Sequence, residues 1–247
     1  MRLEELLKHT EHRPYPLPQG SWAMKMTWEQ LLFMHWPVAP DDIRRLVPAP
    51  FEIDTYDGTA WVGVIPFGMS NVSPRNVPAL PYMSKFLELN VRTYVKFRDW
   101  RAVYFFSLDA ANPIAVEAAR AFYHLPYLNA QMSWMGTEFG VTYSSKRTDR
   151  RGAPIGFQAE YRPVGAPYSS DSGSLAEFLT ERYCLVTTDS TGRPCVGHIH
   201  HIRWPLQDAE VDIVENTMCD PLQIKLLRKR PVLHYAARLE TVAWSLQ

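Results

Sequence analysis

The sequence predicts a mainly β (α+β) protein whose antiparallel sheet closes, fully or partly, into a barrel with a few short helices. Strand-like runs of apolar, β-branched and aromatic residues recur along most of the 247 residues. Twenty prolines and eight tryptophans favour stiff loops and large aromatic core side chains. Few helical patterns interrupt the strands, and sheets of many strands commonly close on themselves.

We expect one short arm and one domain. In residues 1–20, leucines at helical spacing precede a proline-rich stretch, which predicts an N-terminal arm and linker. Residues 21–247 show no repeat, low-complexity tract or internal linker. They are therefore expected to form a single domain, as barrels of this length often do.

The predicted strands start with residues 23–38, an apolar and aromatic run typical of a buried strand. Asp57-Gly58 joins two strand-like runs within residues 51–67 and predicts a tight hairpin turn. Residues 68–85 contain three prolines and no periodicity, which predicts a loop, and whether it covers a site is left open.

Four helices are predicted from their first residues: Pro40-Asp41-Asp42, Asn112-Pro113, the capping box that begins at Ser174, and Asp220-Pro221. The remaining predicted strands are residues 88–96, 102–109, 130–135, 140–146, 155–162, 183–187, 196–204 and 232–246.

Charge and cysteine content limit the partners. Lys+Arg and Asp+Glu both number 26, so we expect no nucleic acid and no membrane partner. The first ten residues lack the apolar core of a signal peptide. Cys184, Cys195 and Cys219 are odd in number and form no CxxC motif, which predicts reduced thiols in a cytoplasmic protein.

The run from Glu88 to Lys96 carries the clearest signal for a site. Successive strand residues point to opposite faces, so Glu88, Asn90, Arg92, Tyr94 and Lys96 share one face, while the other face is apolar apart from one threonine. An acid, an amide, a guanidinium, a phenol and an amine in a row suit the inside of a polar cavity. An edge strand with a solvated face is the alternative.

Three further charged residues have two interpretations each. Asp109, at the end of a strand, either orders a loop or pairs with Arg92 in the interior. Arg182 stands where a helix meets a strand, and Arg120 lies on a predicted helix. Each arginine either binds a ligand carboxylate or forms a salt bridge that holds the fold.

The group His198-Ile199-His200-His201 resembles half of a metal site, because His198 and His200 share a strand face. The sequence identifies no third or fourth ligand, so we expect no metal. His201, on the opposite face, is instead a candidate polar member of the cavity. No phosphate-binding glycine loop, G-x-S-x-G or H-E-x-x-H motif occurs, and we expect no cofactor.

Several motifs together resemble the uncharacterised DUF2071 (YqjF-like) family, in the right order from about residue 22 onward. They are His35-Trp36-Pro37-Val38, the run from Glu88 to Val95, the run from Tyr104 to Ala110, Leu125-Pro126-Tyr127 and Thr180-Glu181-Arg182-Tyr183. That family is similar to the acetoacetate decarboxylase-like superfamily. The resemblance implies a cone-shaped antiparallel β-barrel around a pocket.

The chain departs from the decarboxylase pattern at the catalytic positions. The decarboxylase forms a Schiff base through one of two adjacent lysines, and the matching positions here are Tyr127 and Leu128. An arginine near its first strand is also replaced, around Trp36. The resemblance therefore implies the barrel and pocket without imine chemistry.

Two functions follow as hypotheses. The first is a barrel whose polar pocket binds a small polar or carboxylate-bearing molecule. The second is an enzyme that acts on keto- or enol-type molecules by acid–base chemistry, as a lyase, decarboxylase or hydrolase. Self-association into a homo-oligomer is left open. The candidate ligand-binding residues are Glu88, Asn90, Arg92, Tyr94, Asp109, Arg120, Tyr127, Arg182 and His201.

Overall fold

A computed structural model describes residues 3–80, 83–137, 140–226 and 230–247. The helices are α1 (Leu3–Leu6), α2 (Pro40–Arg44), α3 (Pro113–Tyr123) and α4 (Leu175–Thr180), with a 3-10 helix at Asp220–Leu222. The strands are β1 (Met24–Val38), β2 (Glu52–Ile53), β3 (Ala60–Pro74), β4 (Phe86–Phe97), β5 (Trp100–Ala110), β6 (Tyr127–Thr137), β7 (Gly140–Arg147), β8 (Gly156–Tyr168), β9 (Cys184–Thr188), β10 (Pro194–His200), β11 (Leu206–Asn216) and β12 (Val232–Ala243).

The strand pairings confirm a mainly β fold and form a closed circuit. Antiparallel pairs run from β12 through β1, β3 and β4 to β5, and from β6 through β7 and β8 to β11. A parallel pair joins β5 to β6, and β11 meets β12 where Gln207 pairs with Tyr235. Parallel neighbours need a crossover connection, which α3 provides between β5 and β6.

β4 has a buried core on each face. Leu89 and Val91 belong to the largest apolar cluster, together with side chains of β1, β3, β7 and β8. The opposite face lies near α4, whose Phe178 and Leu179 pack with Tyr94. This strand therefore does not have the solvated face of an edge strand between residues 88 and 94.

α4 begins as the capping box predicts. The Ser174 hydroxyl accepts a hydrogen bond from the backbone N–H of Glu177 at 3.2 Å. The helix buries Phe178, Leu179 and Thr180 and ends at Thr180. Its last turn thereby places the Leu179 carbonyl against β4.

Two local predictions need correction. The Asp57-Gly58 turn forms, with φ of 48° and 77°, but β2 pairs with β4 rather than with β3. The predicted loop at 68–85 is also too long, since β3 continues to Pro74 and pairs with β1. Residues 81 and 82 of that loop lie outside the described residues.

The predicted helix at Asn112-Pro113 forms, but two of its large apolar side chains do not face the core. Asn112 caps it by accepting hydrogen bonds from the N–H groups of Ile114 and Ala115. Val116 is the buried residue of the helix, whereas Ile114 and Phe122 are 58% and 74% exposed. The capping residues therefore located the helix, but they do not specify which side faces the core.

The N-terminal residues pack onto the sheet. Leu6 is buried with Val242 of β12 and with Trp244. In the described part of the chain, no helix has both the length and the apolar character needed to cross a membrane.

Candidate functional site

The even-numbered face of β4 is enclosed over most of its length. Glu88, Asn90 and Tyr94 are buried, and Arg92 is partly exposed. Lys96, which we expected on the same interior face, is exposed because it lies near the end of the strand. The polar face therefore extends from Glu88 to Tyr94.

Arg92 occupies the middle of this face without an acidic partner. Its Nη2 donates hydrogen bonds to the Tyr94 hydroxyl and the Leu179 carbonyl oxygen, both at 3.2 Å. The guanidinium carbon lies 5.3 Å from the centroid of the Phe33 ring. Its buried Nε has no hydrogen-bond partner, and no ion pair of the described residues includes Arg92. None of the described carboxylates therefore balances its positive charge.

His35 on β1 completes one end of the face, and the sequence did not single it out as a site residue. Its Nε2 lies 2.6 Å from the Tyr94 hydroxyl, which donates to the Leu179 carbonyl at 2.6 Å. The Nε2–H of His35 is therefore the donor to that hydroxyl. Burial, with the nearby Arg92 charge, lowers the pKa of His35 well below its usual value and keeps the ring neutral. Gly63 leaves room for this ring, because a Cβ there would lie 3.0 Å from it.

Glu88, Asn90 and Tyr127 form the other end of the face. The Glu88 carboxylate accepts hydrogen bonds from the Tyr127 hydroxyl at 2.7 Å and from the Asn90 side chain. Asn90 Oδ1 is buried without a partner in the described structure. Burial raises the pKa of Glu88 to about 7, since the two hydrogen bonds offset only part of the lost hydration. Glu88 can thus gain or lose a proton near neutral pH.

Tyr127 acts toward Glu88 as a donor. Burial and the neighbouring Glu88 raise the pKa of its hydroxyl well above the usual value, so the phenol keeps its proton. Arg120 on α3 fixes the start of β6 by donating from Nη1 to the Tyr127 carbonyl oxygen at 2.9 Å. Arg120 therefore positions the backbone of this tyrosine.

Two other predicted site residues belong to buried ion pairs. Asp109 is bound by Nε and Nη2 of Arg147, with a closest distance of 2.7 Å. The interpretation that Asp109 pairs with Arg92 is therefore wrong. Arg182 donates from Nη1 to Asp54 at 2.7 Å, which corresponds to our alternative of a salt bridge between helix end and sheet.

His201 lies apart from the β4 face. Its ring centroid is 4.8 Å from that of Tyr183 and 5.1 Å from that of Trp204. Its Nδ1 lies 2.6 Å from the Ile202 carbonyl oxygen. Of the nine predicted residues, the structure groups five on one face: Glu88, Asn90, Arg92, Tyr94 and Tyr127.

The histidine group fastens the N-terminal arm. His200 Nε2 lies 2.8 Å from the Leu6 carbonyl oxygen, and its Nδ1 lies 3.2 Å from Nη1 of Arg13. His12 Nε2 lies 2.7 Å from the His201 carbonyl oxygen. Among the residues that the structure describes, no three side chains of His, Cys, Asp or Glu are arranged to hold a metal ion.

Two surface clefts lie elsewhere. One, of about 360 Å³, is lined by residues around Pro40 and Gly58, and the other, of about 550 Å³, by arm residues around Arg13. Neither is lined by any of the nine predicted residues. Arg92 and Tyr127 are each partly exposed, whereas Glu88, Asn90 and Tyr94 are buried.

No described lysine is buried. Lys25 is partly exposed, and the exposed ones are Lys8, Lys85, Lys96, Lys146 and Lys225. Lys229 lies outside the described residues.

Known proteins similar to this chain share its sequence or its fold. The sequence model of the DUF2071 family, which is described as an uncharacterized conserved protein, matches residues 25–240. The uncharacterized protein YqjF of Bacillus subtilis (strain 168) is 42% identical over 231 residues, which cover 94% of each chain. Acetoacetate decarboxylase of Legionella pneumophila has a TM-score of 0.59 at 10% identity, over 98% of this chain and 95% of that one. The enduracididine biosynthesis enzyme MppR, solved in complex with pyruvate, has a TM-score of 0.59 at 11% identity, over 96% and 92%.

Proposed function

The chain belongs to the DUF2071 family and has an acetoacetate decarboxylase-like fold, and we propose that the polar face of β4 binds a small molecule that bears a carboxylate. The observation that carries this proposal is the unbalanced charge of Arg92. A buried or half-buried charge is costly unless it is paired. A ligand carboxylate would supply the missing acceptor for its guanidinium, which suits two-point binding of such a group.

The surrounding charges favour an anion. Asp54 is the acid of the neighbouring ion-pair cluster, and three cations share it: Arg182 and Arg101 at 2.7 and 2.9 Å, and Lys96 at 3.6 Å. Cations therefore outnumber acids in this cluster. The Oδ1 of Asn90, which lacks a donor, adds a second point of contact for a ligand that carries a hydroxyl.

A fold neighbour supplies the first ligand class that we propose to test. MppR was solved with pyruvate, a small carboxylate with an adjacent carbonyl group. We take small oxo acids as the first class to test here. Tyr127 and Leu128 stand where the resemblance puts the lysines of the decarboxylase, so this proposal does not include a Schiff base.

A second candidate function is acid–base catalysis on a keto or enol substrate. The observation that favours it is Glu88, a buried carboxyl whose pKa is raised by burial to about 7. An acid or base works best when its pKa lies near the working pH. Both functions use the same face.

Isothermal titration calorimetry with matched probes tests the binding proposal. We expect pyruvate and 2-oxobutanoate to bind and pyruvamide, which lacks the anionic group, not to bind. Arg92→Met should abolish the binding. Equal binding of acid and amide, or unchanged binding to Arg92→Met, would contradict a carboxylate site at Arg92.

Borohydride trapping tests the absence of imine chemistry. Reduction in the presence of pyruvate should leave the protein mass unchanged, since Tyr127 and Leu128 form no imine. A stable adduct mapped to any lysine would overturn this part of the proposal.

Compartment and assembly are also proposals. The three cysteines are unpaired, which fits a cytoplasmic protein because disulfides form in oxidising compartments. The formation of a homo-oligomer stays a prediction. Light scattering coupled to size-exclusion chromatography tests it by measuring the molar mass of the protein in solution.

A further inference from the structure

The helix α3 presents an apolar side to solvent. Ile114, Ala118, Ala121 and Phe122 are all exposed, and the two large side chains among them, Ile114 and Phe122, are 58% and 74% exposed. At about 100° per residue, these four positions lie on one side of the helix, nearly opposite the buried Val116. A surface helix usually turns its apolar side toward the core. In the described chain, this side of α3 is left largely uncovered.

The turn before β4 extends this apolar surface at the start of the helix. Asn112 links the two, because its Nδ2 donates to the Met83 carbonyl at 3.3 Å and its Oδ1 accepts from the N–H of Ile114 at 3.1 Å. In that turn, Leu80 and Met83 are 48% and 41% exposed. Single exposed apolar residues are common, whereas a contiguous apolar patch marks an interaction site. We call this surface the α3 patch; it consists of Leu80, Met83, Ile114, Ala118, Ala121 and Phe122.

The α3 patch is large enough for a specific contact between two copies of this chain. Its six residues expose about 500 Å², which is near the upper end of the apolar patches found on monomers. Two such patches in contact would remove about 1,000 Å² from water, which is the lower bound for a specific interface. The formal net charge of the chain is zero, so two copies do not repel each other through their net charge.

The order of side chains along α3 suits a twofold axis at Ala118. Ile114 and Phe122 each lie four residues from Ala118, so antiparallel helices bring Ile114 beside Phe122 of the partner subunit. A twofold dimer uses the same patch on both subunits and therefore needs such a self-complementary surface. The small side chain at the crossing point lets the helix axes approach closely. A second copy of this chain therefore fits the patch.

The charged residues of α3 agree with this arrangement. Glu117 is exposed and forms an ion pair with Arg151, with 2.7 Å between Oε1 and Nη2. Arg120 is the other charged residue of the helix. Antiparallel pairing about Ala118 brings Glu117 level with Arg120 of the partner subunit, so that opposite charges meet along that edge. Opposite charges across an interface fix the orientation of the two partners.

We propose that two copies of this chain associate through the α3 patch, with their α3 helices antiparallel and Ile114 packed against Phe122 of the partner subunit. This inference assigns a surface to the homo-oligomer considered above. It does not depend on carboxylate binding at Arg92, so either proposal can fail alone. Because the interface is small, we expect a dissociation constant in the micromolar range.

Sedimentation equilibrium at protein concentrations of about 1–500 µM measures the association. The mass of the wild type should approach twice 28.5 kDa as the concentration rises. Ile114→Glu and Phe122→Lys each place a charge in the α3 patch and should weaken the association at least about 10-fold. An acid near the start of a helix and a base near its end suit the helix dipole, so α3 should persist in both variants.

Val214→Glu and Met135→Lys are the matched controls. Val214 and Met135 are 69% and 66% exposed and lie on β11 and β6, outside the α3 patch. Both controls should associate as the wild type does. An equal loss of association in a control and in its matched patch variant would overturn the inference, because added charge alone would then explain the loss.

A mixture of the two patch variants tests the antiparallel pairing. In a mixed dimer, one contact joins the two introduced charges, which are opposite in sign, and the other joins an unchanged Ile114 to an unchanged Phe122. The mixture should therefore regain association that neither variant shows alone, and no regain would overturn the antiparallel arrangement. Ala118→Arg, a change to a good helix former, replaces either variant if it does not melt as the wild type does.

The wild-type result separates this interface from self-association in general. A wild type that stays monomeric at all concentrations would overturn both the homo-oligomer and the proposed interface. Association of the wild type that the patch variants retain in full would overturn the interface alone.

Discussion

Arg92→Met should cost the ligand-free protein little stability, although it removes a half-buried charge. Among the described residues Arg92 has no carboxylate partner, so its removal leaves none of the described acids unpaired. Its two hydrogen-bond acceptors remain satisfied, because the Tyr94 hydroxyl still accepts from His35 Nε2 and still donates to the Leu179 carbonyl, both at 2.6 Å. A net loss of about 1 kcal/mol is typical of such a change. For a domain of this size, this corresponds to a fall in melting temperature of about 2–4 °C.

Arg147→Met is the matched control. It makes the same chemical change at an arginine that neutralises a fully buried acid, Asp109, at 2.7 Å. Breaking a buried pair by removing one partner costs about 3–5 kcal/mol, because a charge is left unpaired. The melting temperature should therefore fall by about 6–20 °C.

The same assay reports ligand binding. A ligand at 100 times its dissociation constant stabilises the folded state by about 2.7 kcal/mol, a rise of about 5–10 °C. Two charge-assisted hydrogen bonds lost with Arg92 are worth at least about 3 kcal/mol, which lowers the affinity more than 100-fold. At the same ligand concentration, the rise for Arg92→Met should shrink to about 1 °C or less.

Differential scanning fluorimetry of the wild type and both variants, with and without pyruvate, decides between ligand and fold roles. If ligand-free Arg92→Met melts as low as Arg147→Met, then Arg92 holds the fold and the recognition role is wrong.

Three further results are expected. The folded protein holds the Glu88 proton more tightly than the unfolded chain does, because the pKa of Glu88 is about 7 in the folded state against 4.5 in the unfolded state. The free energy of unfolding should therefore fall by about 3 kcal/mol as pH rises from about 4.5 to 7. Glu88→Gln should remove that fall in urea unfolding curves measured across pH. Burial lowers the pKa of His200 from 6.5 to about 4, so stability present above pH 6.5 should be lost as pH falls toward 4. Protonated His200 can no longer accept from Arg13, so hydrogen exchange of the arm should rise over that range, and less so in His200→Gln. Asn112→Ala removes the cap of α3 and should cost about 1 kcal/mol in calorimetric unfolding, whereas no change would mean that the cap adds nothing.

Local chemistry made several features predictable. The capping residues Asn112 and Ser174 mark their helices because a side-chain oxygen satisfies N–H groups within the next three residues. The turn at Asp57-Gly58 follows from the backbone freedom of glycine. These features depend on neighbours in the chain, which the sequence shows directly.

The alternation along β4 also follows from the sequence, since a strand has a period of two. Glu88, Asn90, Arg92 and Tyr94 share a face for that reason. What covers this face is decided by α4, whose Leu179 is 87 residues from Arg92 in the chain. For His35, the sequence predicted its place in an apolar strand. It did not predict the hydrogen bond to Tyr94, because the two residues are 59 positions apart in the chain.

Ion-pair partners depend entirely on the tertiary structure. From the sequence, one interpretation paired Asp109 with Arg92. For Arg182 the sequence left two interpretations, ligand binding and a salt bridge. The fold instead pairs Asp109 with Arg147, 38 residues away, and Arg182 with an aspartate 128 residues away. Any arginine can pair with any acid, so composition and spacing carry no preference among them. Strand register and helix placement bring particular charges together, and they leave Arg92 on the β4 face without an acid among the residues that the structure describes.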